Sequence, residues 1–395
     1  MRTAFVVSAL AFIVPALSAP TVIPIAKRAG PVKPDSYVIK FKDGASHDVL
    51  AQLAEKLRTS DSSITHTYTV WPGFAAVLKG DSLEYVRKMP GIESMEEDSI
   101  LSLCEHEIAA PGDMPPRVAK HYEALTSRGY LGAEGKGVTI YDIDTGVYTG
   151  HRCFGGRATV GKNWITGESD QDENGHGTHT AGTAACSEYG GAGGASVTAL
   201  KVLNKEGSGS LSDVMDGVNW AFRDFKTGNK VAIATMSLGA QDVPGLQKSL
   251  DEAIQRAVQG GLHFTVAAGN SNMDAATFTP ARVKEANTVG AVDDKNNNQK
   301  ASFSNWGNLI DVWAPGVNIK SAWIGSPSAE NTISGTSMAT PYVAGVLAAA
   351  LGKYGQMSPA DLSKALQEHA SKTVTFSPAD TLAEQSSNKL FAEKW

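Results

Sequence analysis

The sequence predicts a mostly parallel α/β domain preceded by a small α+β domain. From about residue 136, short apolar runs alternate with amphipathic stretches, a pattern typical of a parallel sheet covered by helices on both faces. A separate strand and helix pattern occupies residues 36–104, ahead of an irregular segment. The length of 395 residues exceeds one typical domain and suits a small domain plus a large one.

The composition limits the kinds of binding partner to expect but does not indicate the function. The chain is 42% hydrophobic and 19% charged, as is ordinary for a soluble globular protein. Its 35 basic and 41 acidic residues give a net charge of −6, too mild to indicate nucleic acid or a charged surface as partner. Beyond the N-terminus no stretch approaches the roughly 20 apolar residues of a membrane helix, so we expect no membrane span.

The N-terminus has the pattern of a secretory signal. Arg2 supplies the positive start, and the apolar run from Ala4 to Leu17 is too short to cross a bilayer. Small residues at 16, 18 and 19 offer a cleavage site. We therefore expect residues 1–19 to be a signal peptide and the mature protein to be extracellular, although a vacuolar route begins with the same signal. A buried N-terminal strand or helix is the alternative.

Residues 36–104 have the pattern of a small domain that follows a proline-containing linker, residues 20–35. We expect strands at 36–41, 68–78 and 91–100 and helices at 47–58 and 83–89, from apolar alternation and helical spacing. The pattern breaks between Leu103 and Ala110. We place the boundary there, with a second domain over 105–395.

The second domain alternates strands with helices along its length. The apolar runs predict strands at 138–143, 196–202, 231–237, 263–267, 288–292 and 311–314. Amphipathic stretches predict helices at 176–186, 211–225, 245–258, 337–353 and 359–368. Functional residues are then expected where strands end and helices begin, as in other open α/β sheets.

Three short glycine-containing strings carry the chemistry. They are Ile-Asp-Thr-Gly around Asp144, His-Gly-Thr-His beginning at His176, and Gly-Thr-Ser-Met-Ala around Ser337. Acyl transfer uses a hydroxyl nucleophile, an imidazole that takes its proton and a carboxylate that holds the imidazole. Alone, each string has an ordinary structural reading as a turn or a helix cap. His179 lacks the glutamate and four-residue spacing of a zinc-protease helix, so we expect a packed helix residue.

The order Asp, His, Ser is that of subtilisin and differs from those of chymotrypsin and the α/β-hydrolases. Together with the run Gly-Thr-Ser-Met-Ala-Thr-Pro from residue 335, it makes the chain resemble the subtilisin-like serine proteases, in particular their secreted proteinase K branch. The resemblance implies a three-layer fold with a mostly parallel central sheet. It also implies that 36–104 is an inhibitory pro-domain removed by autoprocessing, and that a monomeric endopeptidase acts on proteins or peptides without a catalytic cofactor.

The resemblance also assigns roles to residues. Ser337 would be the nucleophile, His176 the general base, Asp144 its carboxylate partner, and Asn270 a donor to the oxyanion. The implied substrate-binding residues belong to two edge segments and the primary specificity pocket (S1), with one on the rim of S4: Gly207, Gly209, Ser237, Leu238, Gly239; Ala267, Ala268, Gly269; and Leu211. No acidic residue in these segments could pair with a basic side chain at P1, the residue before the cleaved bond, so we expect a broad preference for apolar or aromatic P1 side chains.

The cysteines depart from the family. Cys153 stands where subtilisin has an aspartate ligand of its strong calcium site, and Cys186 stands beside the loop that wraps that ion. The resemblance therefore predicts a disulfide in place of the ion, with two buried thiols as the alternative. Cys104 is left over at the domain boundary, where it leaves with the pro-segment or stays as an unpaired thiol.

Three other positions bear on calcium and on the active site. Asp311 matches the aspartate of a proteinase K calcium site, with carbonyl oxygens from Lys284 and Ala286 as further ligands of the kind that Ca²⁺ takes. Thr180 replaces a cysteine of that branch. Asp142 occupies a strand position that is usually apolar, and the sequence gives no account of it.

Two other functions are compatible with parts of the pattern. A protein that kept the fold but lost catalysis would act by binding or inhibition, but the intact set of Asp144, His176, Ser337 and Asn270 disfavours this. A lipase or esterase would carry a Gly-x-Ser-x-Gly elbow, which the serine string lacks.

Overall fold

The computed structural model describes residues 22–27, 30–58, 60–103, 134–242 and 248–395. The expected signal peptide, Cys104 and the expected processing region lie outside these residues. The side chains of residues 46–48 are likewise outside the description.

The N-terminal region is an antiparallel sheet with two helices packed on it. Its sheet has the order β3-β4-β2-β5, and β1 adds to β5 in parallel. Its core includes Ile39, Leu53 and Phe74, all fully buried. The elements are β1 (Ile25–Ala26), β2 (Val32–Phe41), α1 (Ser46–Leu57), β3 (Ser63–Thr67), β4 (Gly73–Val77), α2 (Asp81–Arg87) and β5 (Ile92–Leu103).

Three expectations for this region were wrong. The single strand over 68–78 is instead the end of a hairpin, because β3 precedes it and residues 68–72 form the connection. The linker 20–35 contains β1 and the start of β2, since Ile25 pairs with Met95. The strand expected to end at residue 100 continues to Leu103, because its last residues pair with the second domain.

The second domain is built on a sheet of order β15-β14-β12-β10-β6-β8-β7, with β16 beside β14. All pairings within this sheet are parallel except that of β14 with β15. The strands of the second domain are β6 (Val138–Asp144), β7 (Ala158–Asn163), β8 (Ser196–Lys201), β9 (Ser208–Ser210), β10 (Val231–Met236), β11 (Leu238–Gln241), β12 (His263–Ala267), β13 (Phe278–Thr279), β14 (Asn287–Asp293), β15 (Gln299–Lys300), β16 (Val312–Pro315), β17 (Ile319–Ala322) and β18 (Glu330–Ile333).

The helices of this domain are α3 (His176–Ala185), α4 (Leu211–Thr227), α5 (Ser249–Gln259), α6 (Thr336–Tyr354), α7 (Pro359–His369) and α8 (Leu382–Gln385). The predicted helices match these closely, but the one expected from residue 245 begins at Ser249. Within the described residues, no helix is long and apolar enough to cross a membrane.

The helices form two layers on the sheet, which confirms the three-layer α/β fold. Helices α3 and α6 pack with Ile140 and Ile233 on one face. Helices α4 and α5 pack with Ile143 and Ala234 on the other. Because the strands are parallel, their carboxyl ends lie at one edge, where α3 and α6 also begin.

Candidate active site

Asp144 ends β6 and His176 begins α3, and the two side chains meet. Nδ1 of His176 lies 2.7 Å from Oδ1 of Asp144, and both side chains are 1% exposed. The backbone N–H of Thr145 donates to the same carboxylate oxygen at 2.7 Å. The imidazole is therefore held through Nδ1, so the chemistry expected of His176 would be carried out by its other ring nitrogen, Nε2.

Asp172, which sequence reasoning missed, fixes the approach to α3. Its Oδ2 accepts from the N–H and the hydroxyl of Thr178, at 2.9 and 2.7 Å. Its Oδ1 accepts from the Thr145 hydroxyl at 2.9 Å, and the N–H of Gly177 donates to that hydroxyl oxygen at 2.9 Å. The carboxylate thus ties the first turn of α3 to the end of β6. An aspartate four residues before a helix-initiating histidine was the signal available in the sequence.

Ser337 lies in the first turn of α6, beside the end of β10. Its hydroxyl donates to the carbonyl oxygen of Ser237 at 3.3 Å, and the Ser237 hydroxyl donates to the Ser337 carbonyl at 3.0 Å. These reciprocal bonds hold the serine at the edge where the strands end. The N-terminus of a helix, with unpaired N–H groups and a positive dipole end, favours negative charge at this point.

Asn270 follows β12 and is held by the residue before the serine. Its Oδ1 accepts from both the N–H and the hydroxyl of Thr336, each at 2.8 Å. Its Nδ2 lies against Gly335, where a Cβ atom would come within 3.2 Å of that nitrogen. The carbonyl side of the amide is therefore used for anchoring, and the amide donor lies beside the start of α6.

The C-terminal end of β5 lies between β9 and β11, which are two of the predicted substrate-binding segments. Leu101 pairs with Gly209, Ser102 with Gly239, and Leu103 with Leu238, all antiparallel. The N–H of Leu103 also donates to the carbonyl oxygen of Gly207 at 3.0 Å. A Cβ at Gly207 would lie 2.7 Å from the Leu103 side chain, so the glycine allows this close approach.

The remaining predicted binding residues surround this groove. Leu211 begins α4 and is fully buried in the same apolar cluster as Leu101 of β5, so its place on the rim of S4 stays a prediction. The S1 residues Ala267, Ala268 and Gly269 end β12 and continue from it, and all three are buried.

Cys153 and Cys186 are brought together as predicted, but the structure has both as free, buried thiols and not as a disulfide. A hydrogen bond between the two side chains, together with burial, raises the pKa of Cys153. The contact is one that oxidation would convert into a bond, so the disulfide stays a prediction.

Asp311 is already satisfied by protein donors. The N–H of Thr288 donates to Oδ2 at 2.8 Å, and the Gln367 amide donates to Oδ1 at 3.0 Å. Burial raises the pKa of this carboxyl to about 7. Lys284 is exposed and Ala286 buried in the segment before β14. Each oxygen accepts one hydrogen bond and keeps a lone pair that could bind Ca²⁺, so the calcium ligand set stays a prediction.

His179 is the packed helix residue that was expected. It is fully buried, its Nε2 lies 2.9 Å from the carbonyl oxygen of Ile319, and burial lowers its pKa to about 3. Across the described residues, no three His, Cys, Asp or Glu side chains are grouped so as to hold a metal ion.

A parallel α/β sheet with an Asp–His pair, a helix-initiating serine and an asparagine at one edge defines the class of serine hydrolases. Family comparison agrees, since residues 135–391 match the subtilase family model, and residues 36–104 match the peptidase inhibitor I9 model.

Two fungal proteases illustrate the similarity. Subtilisin-like protease 2 of Pseudogymnoascus destructans is 39% identical over 336 residues, covering 82% of each chain. Subtilisin-like proteinase Spm1 of Pyricularia oryzae is 39% identical over 369 residues, covering 80% of this chain and 67% of its own.

Two solved structures are also similar. A cold adapted subtilisin-like serine proteinase is 40% identical with a TM-score of 0.58, covering 66% of this chain and 90% of its own. Fervidolysin from Fervidobacterium pennivorans shares the fold, with a TM-score of 0.72 and 19% identity. That match covers 95% of this chain and 63% of fervidolysin. The chain belongs to the subtilase family and is a serine endopeptidase with an I9-type pro-domain.

Proposed function

We propose that this chain is the precursor of a secreted endopeptidase that removes its own pro-domain and then cleaves proteins at apolar or aromatic P1 residues. The observation that carries the proposal is the buried Asp144–His176 pair at the same sheet edge as Ser337, beside a groove that the end of β5 occupies as an extended strand.

In the proposed mechanism, Ser337 attacks the carbonyl carbon of the scissile peptide while Nε2 of His176 accepts its proton. Asp144, bonded to Nδ1, stabilises the imidazolium and keeps the ring oriented. The negative oxygen of the tetrahedral intermediate accepts from the Asn270 amide and from the Ser337 N–H at the start of α6. His176 then delivers the proton to the leaving amine, and water repeats the sequence on the acyl-enzyme.

The pro-domain is proposed to inhibit by occupying the substrate groove while docked on α4 and α5. Asp98, fully buried on β5, accepts from the N–H and the hydroxyl of Ser212 at 2.8 and 2.7 Å, next to the first residue of α4. Asn219 accepts from the N–H groups of Thr69 and Val70 at 2.8 and 3.1 Å. The pro-domain residues of these anchors precede the proposed cut in the sequence, so they would hold the pro-domain after the chain is cut.

The pairing of β5 with β11 indicates where the chain would be processed. Leu103 pairs with Leu238 and Ser102 with Gly239, so each step forward along β5 is one step back along β11. The last described pair, Leu103 with Leu238, is one step from Ser237, whose carbonyl oxygen accepts from the Ser337 hydroxyl. Cys104 itself lies outside the described residues. We propose on this register that the cleaved bond is Cys104–Glu105.

Activity assays test the reaction class. Mature wild type is expected to hydrolyse casein and to release nitroaniline from peptide anilides with apolar or aromatic P1, whereas Ser337→Ala does neither. Rapid hydrolysis of long-chain nitrophenyl esters without cleavage of casein would contradict the proposal and favour a lipase. A P1 preference for lysine or arginine would contradict the proposed specificity while leaving the reaction class intact.

Calcium binding at Asp311 and the export of the mature chain are further proposals. If Asp311 holds calcium, EDTA lowers the melting temperature of wild type and leaves that of Asp311→Asn unchanged. A wild-type melting temperature unmoved by EDTA contradicts the site. Export is tested by fractionation, where mature protein in the culture medium supports secretion and retention in a vacuolar fraction contradicts it.

A further inference from the structure

Asp142 and Thr180, the two unusual residues near the catalytic pair, contact each other beneath it. Asp142 lies on β6, two residues before Asp144, and Thr180 lies one turn after His176 on α3. The Thr180 hydroxyl oxygen is 3.2 and 3.3 Å from the two carboxyl oxygens of Asp142. Both side chains are almost completely buried.

The hydrogen bonds around Thr180 indicate where the protons are. Its hydroxyl oxygen also lies 3.0 Å from the carbonyl oxygen of Gly177, a bond that helical threonines commonly make. A hydroxyl has one hydrogen, and a carbonyl oxygen only accepts. Both contacts are satisfied together only when Thr180 donates to Gly177 and Asp142 donates to Thr180. An ionised Asp142 would leave one of these close oxygen pairs without a hydrogen between them.

The surroundings of Asp142 favour the neutral acid. Its neighbours in register are Ala199 on β8 and Thr235 on β10, both uncharged, and the Thr235 hydroxyl is buried with no hydrogen-bond partner among the described residues. Burial, and next the negative charge of Asp144, raise the pKa of Asp142 well above its usual range.

The other ionisable groups on the elements packed around Asp142 add no cation to pair with it. Asp172 contributes further negative charge. The titratable residues of α3 are His176, bonded to Asp144, and His179, which burial keeps neutral. Lys201 on β8 pairs with Glu168 at 3.0 Å, and Lys353 lies at the far end of α6. On the opposite face, Asp224 of α4 accepts from Tyr141.

We propose that Asp142 is a buried, protonated carboxylic acid that positions the catalytic helix. It donates to Thr180, which donates to the Gly177 carbonyl and so braces the first turn of α3, where His176 lies. By staying neutral it leaves Asp144 as the charged partner of the imidazole. Its effect on catalysis rests on the proposed role of His176 as general base, whereas the protonation itself does not.

Asp142→Asn separates the neutral from the charged acid, because asparagine keeps a donor to Thr180 and carries no charge. We expect the acid limb of the kcat/KM profile to stay within about 0.3 pH units of wild type. If Asp142 were ionised, removing its negative charge would destabilise the His176 imidazolium, and the apparent pKa of the acid limb would fall by about 1 unit. Such a shift would overturn the proposal.

Thr180→Val and Thr180→Ser test the positioning role. The valine removes both bonds of the hydroxyl, and we expect kcat to fall about tenfold with KM within twofold of wild type. The serine keeps the hydroxyl and is expected to restore kcat to within twofold. An unchanged kcat in the valine variant, or no recovery in the serine variant, would show that the contact does not position His176.

A stability measurement on the full-length Ser337→Ala chain does not depend on activity. With its folded pKa above that of the unfolded chain, Asp142 binds its proton more tightly in the folded state. Its contribution to stability is therefore complete below about pH 4 and is lost as pH rises toward the folded pKa. Relative to this chain, one that also carries Asp142→Asn should gain melting temperature steadily from pH 4 to pH 8. A difference that is independent of pH would overturn the protonated acid even if the catalytic assignments stand.

Discussion

Replacing Asn219 by alanine should weaken inhibition by the pro-domain without changing catalysis. Asn219 lies on α4 and its Oδ1 accepts from the Thr69 N–H, the Thr69 hydroxyl and the Val70 N–H, at 2.8, 2.9 and 3.1 Å. Val70 is buried, so losing its acceptor costs about 1–3 kcal/mol, whereas exposed Thr69 turns to water at about 0.5–1.5 kcal/mol. The sum, about 1.5–4.5 kcal/mol, corresponds to a rise of roughly 10- to 2,000-fold in the inhibition constant.

The assay compares mature wild type and Asn219→Ala, each titrated with the same pro-domain recovered from maturation of the wild type. The value of kcat/KM for a peptide anilide should be the same for both enzymes, because Asn219 is not among the proposed catalytic or substrate-binding residues. Arg223→Ala is the matched control, because Arg223 lies on the same helix but is exposed with the pro-domain bound. The pro-domain should inhibit this variant as strongly as it inhibits wild type. An inhibition constant within threefold of wild type for Asn219→Ala would refute the docking account.

Three further predictions address the oxyanion donor, Asp311 and the thiols. Asn270→Ala should lower kcat about 10²–10³-fold with little change in KM, which is the loss seen when the equivalent asparagine of subtilisin is removed. A rise in KM by the same factor would contradict the role of Asn270 as an oxyanion donor. With EDTA present, the Asp311 pKa near 7 means that its stabilising effect is complete below about pH 4 and lost through pH 7, by at most about 4 kcal/mol. In the Ser337→Ala chain, melting curves should therefore show Asp311→Asn gaining on its parent over that range, and a constant difference would contradict the raised pKa. Mass spectrometry of a non-reduced digest of exported protein should find Cys153 joined to Cys186, a bond worth about 4 kcal/mol for a loop of roughly 34 residues, and alkylation of both thiols would exclude it.

The candidate site could be located from the sequence because its residues lie in short strings. Asp144, His176 and Ser337 each occur beside glycines at a strand end or helix start, so pattern and order together indicate their roles. The structure adds the contact between Asp144 and His176 and the anchoring of Asn270 by Thr336. The alternation of apolar strands and amphipathic helices was likewise sufficient for the layers of the second domain.

What the sequence could not predict depends on contacts between distant segments. The strand β3 is polar and partly exposed along its length, and it is held by pairing with β4. Residues 101–103 extend β5 because β9 and β11 supply partners more than 100 positions away. Asp98 and Asp142 have no local pattern, since their partners Ser212 and Thr180 lie on other elements.

The most direct test of the central claim is N-terminal sequencing of the full chain expressed as wild type and as Ser337→Ala. The account predicts that mature wild type begins at Glu105, while the alanine variant keeps residues 36–104 attached. A wild type that begins elsewhere would contradict the register-based site. Identical processing of both proteins would contradict self-processing by Ser337, because another protease would then be responsible for maturation.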